Sequence, residues 1–181
     1  MAKSEQLPVA EARAGEPEAW EVLFRRYQLP LYGYVFELVR DEQASLDIVQ
    51  ETFIAAVRHI RSLQANEKFG SWLFGIAHQR CIQRWRKQIR EDRWRDEAAQ
   101  ATADLQPGPD DLLIGREQEA EFMQRLSQLP LPQRTVLLLH FIEDFSLEEI
   151  ARITGASLGT VKSRIHYGKK ALQRLFQEES P

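Results

Sequence analysis

SLEEIARITGASLGTVKSRI, residues 146–165, carries the most specific structural pattern of the sequence. It has the pattern of two short helices joined by a tight turn. Ala151 is small enough to lie where the helices cross, and Gly155 can adopt the left-handed conformation of the turn. Ser157 suits the N-cap of the second helix, and Val161 is spaced to anchor that helix on the first. The stretch predicts a helix-turn-helix, whose remaining core residues are Ile150, Ile153, Leu158 and Ile165.

The second helix of this motif is strongly basic. Residues 158–176 hold five basic side chains and no acidic one. A recognition helix enters the major groove with its N-terminal residues facing the base edges, and basic residues further along suit phosphates. An ordinary helical hairpin with a solvated basic face is the alternative. The predicted DNA-contacting residues are Thr160, Lys162, Ser163, Arg164, His166, Tyr167, Lys169 and Lys170.

Charge is sorted into blocks along the chain. The net charge of −3 argues against a simple nucleic-acid-binding protein. However, residues 68–95 hold eight basic side chains against two acidic ones, and residues 96–121 hold eight acidic side chains against one basic. Two basic segments therefore flank an acidic one, which indicates interaction surfaces that the net charge hides.

The first basic segment is also rich in aromatic residues. Residues 68–93 read KFGSWLFGIAHQRCIQRWRKQIREDR. Aromatic faces stack on unpaired bases while cations follow the backbone, so this mixture suits melted or single-stranded DNA. Core packing is the alternative for Phe69 and its neighbours Leu73, Ile76 and Ala77, and Trp72 is open to both interpretations. The strongest candidates for strand contact are Arg80, Arg84, Arg86 and Lys87.

Helical periodicity predicts an all-α protein with two small helical domains. Residue Pro17 suits a first helical turn, and Pro30 is expected to kink or split the first helix. The second helix is predicted over residues 41–62, and a third helix from about Gly70 to Arg93. The predicted buried stripe of the second helix comprises Ser45, Ile48, Val49, Thr52, Phe53, Ala56, Val57 and Ile60.

The predicted domain organisation has four parts. Residues 1–16 form an N-terminal tail, and residues 17–95 form the first helical domain. Residues 96–116, which are acidic and contain Pro107, Gly108 and Pro109, form a flexible linker. Residues 117–177 form the second domain, which carries the helix-turn-helix.

Several function classes find no support in the sequence. The single cysteine, Cys81, cannot form an internal disulfide and is read as an apolar filler. With no secretory signal and no apolar run of about 20 residues, we expect a cytoplasmic protein without membrane insertion. No metal or cofactor is expected, and no phosphate loop or nucleophile–base set indicates an enzyme. The histidines, which lack metal-ligand spacing, are His59, His78, His140 and His166.

Taken together, these segments resemble the extracytoplasmic-function sigma factors of bacterial RNA polymerase. Residues 47–53, DIVQETF, resemble the family's polymerase-binding helix, and residues 69–77, FGSWLFGIA, resemble its promoter-melting helix. The pieces LP at 129–130, QR at 133–134, EIA at 149–151 and GTVKSR at 159–164 resemble its second conserved domain. Each motif is weak alone, but all of them in the family's order are specific.

The resemblance implies partners and sites. It implies that Asp47, Gln50 and Glu51, which composition alone would leave on a solvated face, bind the clamp helices of the largest subunit of core RNA polymerase. It implies that the loop at residues 62–68 holds a base flipped out of the minus-ten element of promoter DNA. The implied minus-ten contacts are Asn66, Lys68, Trp72, His78, Gln79, Arg80, Arg84, Arg86 and Lys87.

The resemblance assigns the remaining segments as well. The second domain would read the minus-thirty-five element and lean on the flap of the polymerase's second subunit. The acidic linker would either thread toward the RNA exit path or act as an inert tether, and it should weaken DNA binding by the free protein. An anti-sigma factor that holds the chain inactive is a further implied partner.

Two departures from the family pattern carry predictions. The family commonly has Arg-Asn where this chain has His78-Gln79, which leaves the identity of the flipped base open. It commonly has Arg-Ala-Arg where this chain has Tyr167-Gly168-Lys169. Arginine reads guanine through two hydrogen bonds and tyrosine cannot. We therefore predict an unusual minus-thirty-five preference, with His166 or Tyr167 making apolar or single hydrogen-bond contacts.

Two other functions compete with a transcription initiation factor. A regulator that binds duplex DNA alone would leave the aromatic and basic helix and the Asp47-Gln50-Glu51 patch unexplained. A sigma mimic, which sequesters an anti-sigma factor and never touches DNA, tends to lose the basic residues of both DNA-binding helices. This chain keeps those residues, so the sequence favours the sigma factor over the mimic.

Overall fold

The computed structural model describes residues 7–98 and 117–177, with side chains for residues 7–90 and 121–177. Regular structure within these ranges is helical throughout, without a strand, which confirms the all-α prediction. The chain divides into two compact units, residues 1–83 and 84–181. The predicted linker lies outside the described residues, apart from its first three positions, which continue a helix.

The first unit is built from helices that succeed one another closely. They are α1 (Val9–Ala14), α2 (Pro17–Val39), α3 (Glu42–His59) and the part of α4 (Phe69–Ala98) that precedes residue 84. Asp41 caps α3, because its side chain accepts a hydrogen bond of 2.7 Å from the Ala44 amide. Two single turns of 3₁₀-helix, Ile60–Ser62 and Asn66–Lys68, connect α3 to α4. The core between α2, α3 and α4 includes Leu23, Leu31, Tyr34, Val35, Phe53, Phe69, Leu73 and Phe74.

The predicted N-terminal tail contains a short packed helix, α1. Val9 and Ala12 of α1 are buried, and the indole Nε1 of Trp20 donates a hydrogen bond of 3.1 Å to the carbonyl of Ala12. A six-residue helix has too few turns for its own periodicity to be visible. It exists because its apolar face packs on the unit.

Two details of the first unit's helices differ from the sequence prediction. Of the two outcomes expected at Pro30, a kink or a split, the split does not occur: α2 is continuous from Pro17 to Val39, because buried residues such as Leu23 and Val35 hold the segments on both sides of the proline to one core. Val57 is exposed rather than part of the buried stripe of α3. The stripe ends its regular course near Ala56, and Ile60 continues the buried surface from the 3₁₀ turn.

The second unit contains the predicted helix-turn-helix. Its helices are α5 (Glu117–Ser127), α6 (Leu131–Leu137), α7 (Leu147–Thr154) and α8 (Leu158–Gln177), and a π-helical turn at Leu138–Ile142 extends α6. Ser146 and Glu149 form a reciprocal capping box at the start of α7. Gly155 ends α7 with a φ of 64°, which is the left-handed turn that the sequence required.

The second helix of the motif is fixed by its cap and by its anchor. The Ser157 hydroxyl accepts a hydrogen bond of 3.1 Å from the Thr160 amide, as predicted for an N-cap. Val161 is fully buried, and Ile165 is buried one turn later. Leu158 was predicted in the core but is 36% exposed, because it lies at the first position of α8, before the buried stripe begins.

Candidate nucleic-acid interface

Helix α8 presents a polar, basic surface opposite its buried stripe. Val161, Ile165 and Gly168 face the core at helical spacing. The positions between them turn outward, and most of the predicted DNA-contacting residues are among them. Those that are exposed are Lys162, Ser163, His166, Tyr167, Lys169 and Lys170. The structure thus brings the predicted recognition residues onto one accessible helix, with Thr160 and Arg164 half-buried at its side.

Three residues of α8 have roles that the sequence did not reveal. The Thr160 hydroxyl lies 2.8 Å from the Ser157 hydroxyl, so it belongs to the helix cap. The Lys169 ammonium lies 4.6 Å from the centre of the Phe141 ring, a cation–π distance. Gly168 lies against α6: a Cβ built on it would be 3.0 Å from Leu137 Cδ1. Gly168 therefore serves close helix packing, whereas Tyr167 beside it is 59% exposed.

The aromatic residues of α4 divide between core and surface. Phe69 and Phe74 are buried, Trp72 is half-buried, and Trp85 is exposed. The Phe69 ring contacts that of Trp72 at a centroid distance of 5.9 Å. Core packing therefore accounts for the two phenylalanines, and the two tryptophans remain available for stacking.

A small pocket opens between the end of α3 and the middle of α4. From α4 it receives Trp72, Gln79 and Arg80, which were predicted to contact the minus-ten element, together with Ile76 and Gln83. From α3 and the following turn it receives Ala55, His59 and Ser62. His59 and Gln83 were missed at the sequence level. Their signal is the spacing of 72, 76, 79, 80 and 83 on one helix face, opposite 55, 59 and 62 on another.

His78 is not part of this pocket. It is buried, and its Nδ1 lies 2.9 Å from the Tyr34 hydroxyl, a hydrogen bond between α4 and α2. The expectation that His78 faces DNA is corrected by this placement, because its side chain continues the buried stripe of Phe74, Ala77 and Cys81. The Tyr34 hydroxyl gives this buried ring nitrogen a hydrogen-bond partner, as buried polar groups require.

The other predicted minus-ten residues lie around the pocket or beyond it. Lys68 is exposed and Asn66 half-exposed in the loop that precedes α4. Arg84, Arg86 and Lys87 are exposed on α4, following the pocket-lining Gln83. These three basic residues follow the pocket-lining part of α4 in the chain, whereas Asn66 and Lys68 precede it on the loop.

The acidic residues of α3 lie on its exposed side. Asp47, Gln50 and Glu51 are all exposed, and Gln50 and Glu51 follow Asp47 by three and four positions. Asp47 accepts a hydrogen bond of 3.1 Å from Gln43 Nε2, and Glu51 forms an ion pair with Arg80 of α4. The structure thus joins a predicted polymerase contact to a predicted DNA contact within one ion pair.

An apolar groove runs between α2 and α3 beside this patch. Gln50 lines it, so the acidic patch and the groove share an edge. Four of its apolar side chains are exposed: Phe24, Leu29, Leu46 and Ile54. An apolar centre with a polar rim is the usual anatomy of a protein interface. The other lining residues are Gln28, Tyr32, Glu42, Val49 and Phe53.

Within the described ranges, no three histidine, cysteine, aspartate or glutamate side chains are grouped as metal ligands would be. Burial raises the pKa of the Cys81 thiol to about 12, so the thiol stays protonated at neutral pH. None of the helices within those ranges is both long and apolar enough to cross a membrane.

Two family models match the chain. The model for sigma-70 region 2 matches residues 23–91, which contain the groove and the pocket. The model for sigma-70 region 4 matches residues 119–172, which contain the helix-turn-helix. The two matched regions together contain the groove, the pocket and most of helix α8.

Curated relatives match along nearly the whole chain. The extracytoplasmic-function RNA polymerase sigma factor SigW of Bacillus subtilis is 30% identical over 179 residues, covering 94% of this chain and 95% of that protein. The RNA polymerase sigma-H factor of Pseudomonas aeruginosa is 29% identical over 184 residues, covering 97% and 95%.

Solved structures share the fold. CnrH, solved in complex with the cytosolic domain of CnrY, has a TM-score of 0.68 at 23% identity and covers 97% of this chain and 99% of that chain. The sigma factor RpoE of Bartonella quintana, solved in complex with the anti-sigma factor NepR, has a TM-score of 0.67 at 25% identity and covers 87% and 98%. With its two matched regions in order and relatives of full length, the chain belongs to the extracytoplasmic-function RNA polymerase sigma factors.

Proposed function

We propose that this chain is a transcription initiation factor that binds core RNA polymerase and directs it to promoters. One observation carries the proposal: the chain has two separate surfaces suited to DNA, a pocket with a tryptophan and an arginine in the first unit and an exposed basic helix in the second. A promoter is read at two separated elements, of which one is melted. We also propose the domain boundaries 17–95 and 117–177 with a linker between them, a cytoplasmic location, and no catalytic activity in the chain itself.

Polymerase binding is assigned to the exposed side of α3. Asp47, Gln50 and Glu51 supply polar contacts for the clamp helices of the largest subunit, and the adjacent groove supplies the apolar contact area. Exposed Leu46 and Ile54 support this assignment, because burying apolar side chains contributes most of the affinity in such interfaces. The flap of the second subunit is assigned to the second unit.

Minus-ten recognition is assigned to the pocket and the loop at residues 62–68. A base extruded from the stack needs a recess, an aromatic face and polar groups that can bond its edge. Trp72 offers the face, Gln79 offers an amide, and Arg80 offers a cation. Asn66 and Lys68 lie on the loop, and Arg84, Arg86 and Lys87 would follow the melted strand along α4.

Minus-thirty-five recognition is assigned to α8. Lys162, Ser163, His166 and Tyr167 are exposed on its N-terminal half, where a recognition helix meets base edges. Lys170 and Lys169 lie further along and suit phosphates. Because Tyr167 is exposed and cannot form the paired hydrogen bonds of an arginine to guanine, the unusual preference predicted from the sequence is retained as part of the proposal.

Control by an anti-sigma factor is the proposed regulation. The similar sigma factor of Bartonella quintana was solved with the anti-sigma factor NepR. An anti-sigma factor that covered the groove between α2 and α3 would block polymerase binding directly, because Gln50 lines that groove.

Run-off transcription on genomic fragments, with core polymerase in the presence and absence of this protein, tests the proposal. We expect new, discrete start sites whose upstream sequences share two elements. Absence of new starts together with absence of binding to core polymerase would sink the proposal, and binding to an anti-sigma factor would then indicate a sigma mimic.

A pair of variants locates the polymerase surface in the same experiment. Ile54→Glu places a charge in the groove and should lower affinity for core polymerase by about tenfold or more. Val22→Glu is the matched control, because Val22 is similarly exposed on α2 but does not line the groove. Equal loss of affinity in both variants would contradict the assignment of the groove.

A further inference from the structure

Helix α1 reaches the loop at residues 62–68 through one arginine. The Arg13 guanidinium Nη2 donates a hydrogen bond of 2.8 Å to the backbone carbonyl of Leu63, fifty positions along the chain. A charged donor makes this bond stronger than one between neutral groups. It is formed by a segment that lies before the region matched by either family model.

Helix α1 is itself held firmly enough to act as an anchor. Val9 and Ala12 bury its apolar side, and Trp20 donates to the Ala12 carbonyl from the first turns of α2. Gly15 ends the helix with a φ of 97°, a conformation that favours glycine, and returns the chain into α2. Arg13 therefore projects from a short helix whose position is set by its buried side and by the hydrogen bond from Trp20.

The loop, in contrast, has few attachments beyond its own turns. Leu63 buries its side chain, the Ser62 hydroxyl donates to the His59 carbonyl, and the Lys68 amide donates to the Ala65 carbonyl. These last two bonds are local and fix turns, not the position of the loop on the unit. The bond from Arg13 fixes the loop at Leu63, directly after Ser62, which lines the pocket.

A second connection joins α1 to the opposite wall of the pocket. The Trp20 ring, whose Nε1 donates the hydrogen bond to the Ala12 carbonyl, contacts the Phe69 ring edge-on at a centroid distance of 6.3 Å. Phe69 in turn contacts Trp72 at 5.9 Å, and Trp72 lines the pocket. Edge-on and tilted aromatic contacts of this kind have preferred geometries, so they favour particular ring orientations as well as contributing stability.

We propose that Arg13 and Trp20 are positioning residues for base capture, so that α1 sets the sequence selectivity of the first unit without touching DNA. The inference rests on the proposed function, since it concerns the same pocket and loop. Arg13 fixes the loop side of the pocket, and Trp20 fixes the Trp72 side through Phe69. Loosening either contact lets the pocket accept several bases. The difference in transcription between promoters with the preferred base and promoters with a substituted base then becomes smaller.

The test is transcription by reconstituted holoenzyme on promoters in which each base of the minus-ten element is replaced in turn. The selectivity ratio is the transcription rate with the preferred base divided by the rate with a substituted base. For Arg13→Ala we expect this ratio at the captured position to fall by roughly fivefold, the size of one ordinary net hydrogen bond. Selectivity at minus-thirty-five positions should be unchanged. Arg13→Lys, which keeps a donor, should retain part of the ratio. Trp20→Phe, which removes only the indole donor while keeping a ring against Phe69, should lower the ratio by less than Arg13→Ala.

Arg25→Ala is the matched control, because Arg25 is an exposed arginine of the same unit whose ion-pair partner is Glu21 on its own helix. It should leave every ratio unchanged. If Arg13→Ala lowered transcription equally on all templates and left the selectivity ratio intact, Arg13 would contribute to stability alone and the inference would be overturned. If Arg13→Ala fails to fold, an unchanged ratio in both Arg13→Lys and Trp20→Phe would overturn it as well. Failure of the unaltered protein to start transcription would instead overturn the proposed function.

Discussion

The surfaces proposed to bind DNA are formed in different ways in the two units. In the second unit, one cap, one left-handed glycine and one buried valine suffice to expose the outer face of α8. In the first unit, the pocket exists only where α3, a 3₁₀ turn and α4 meet, and its loop is held by a separate N-terminal helix. A surface carried by one helix is written in one stretch of sequence, whereas a pocket is an outcome of tertiary packing. Substitutions in each unit test this difference.

The largest expected effect is in the helix-turn-helix. Val161→Asp places a carboxylate at a fully buried position without a partner, and should destabilise the second unit by more than about 3 kcal/mol. Transcription from promoters that need the minus-thirty-five element should be lost. Binding to core polymerase through the first unit should persist. Hydrogen exchange of the two units, with a polymerase-binding assay, measures both results.

Leu158→Asp is the matched control for that substitution. Leu158 is 36% exposed at the first position of α8, where a negative charge also interacts favourably with the helix dipole. The change in stability should stay within about 0.5 kcal/mol. A large destabilisation by Leu158→Asp would show that the turn is held by more than its glycine, cap and valine.

The second effect concerns the core beneath the pocket. Burial raises the pKa of Cys81 to about 12, so in the folded state the thiol remains protonated at a pH where the unfolded thiol has ionised. The unfolded state then binds fewer protons, and stability falls as pH rises. Between about pH 9 and pH 12 the loss should approach about 1.4 kcal/mol per pH unit from this group.

Denaturant unfolding of the unaltered chain and of Cys81→Ala across this range isolates that contribution. Other groups titrate here too, among them Tyr27, whose pKa is also raised by burial. They contribute to both proteins alike, so the difference between the two pH slopes belongs to Cys81. Parallel slopes would mean that the thiol is accessible to water and that the core of α4 is looser than in the structure.

Much of the fold was predictable because its signals are local. Gly155, Ser157 and Val161 were assigned correctly from residue type and spacing alone. Leu158 and Val57 were misplaced because both are apolar residues adjacent to a buried stripe, and periodicity resolves a stripe only to about one position at its ends. A split at Pro30 was one of two expected outcomes and does not occur, because packing on both sides of a proline can outweigh the lost hydrogen bond.

The site of the first unit was predictable only in part. Trp72, Gln79 and Arg80 were predicted to contact DNA from composition and family resemblance, and the structure brings them to one pocket. His59, Gln83 and Arg13 were not identified, because nothing in their own segments indicates which residues distant in sequence they meet. His78 was misassigned for the same reason: its sequence neighbours are candidates for DNA, and only the packing of α4 on α2 reveals its partner, Tyr34.

The third effect tests that correction. Tyr34→Phe removes the hydroxyl bonded to His78 while keeping the ring contact with Phe74, and should cost about 1 kcal/mol of stability. Base selectivity at the minus-ten element should not change. Thermal unfolding and transcription on substituted promoters provide the measurements. A changed selectivity at unchanged stability would instead restore His78 to the DNA-facing set.

The smallest effect separates contact with phosphates from contact with bases on α8. Lys170→Ala should weaken binding of the holoenzyme to all promoters by roughly threefold and reduce the slope of log affinity against log salt by about one, because one phosphate contact releases one counterion. Tyr167→Ala should leave that slope unchanged and alter the ranking of minus-thirty-five sequences, because an exposed neutral ring acts through base edges or methyl groups. If both variants changed the slope and neither changed the ranking, α8 would bind DNA by charge alone. Sequence recognition would then depend on the pocket of the first unit. The two units would differ in that α8 supplies affinity for DNA without selectivity, while the pocket supplies the selectivity.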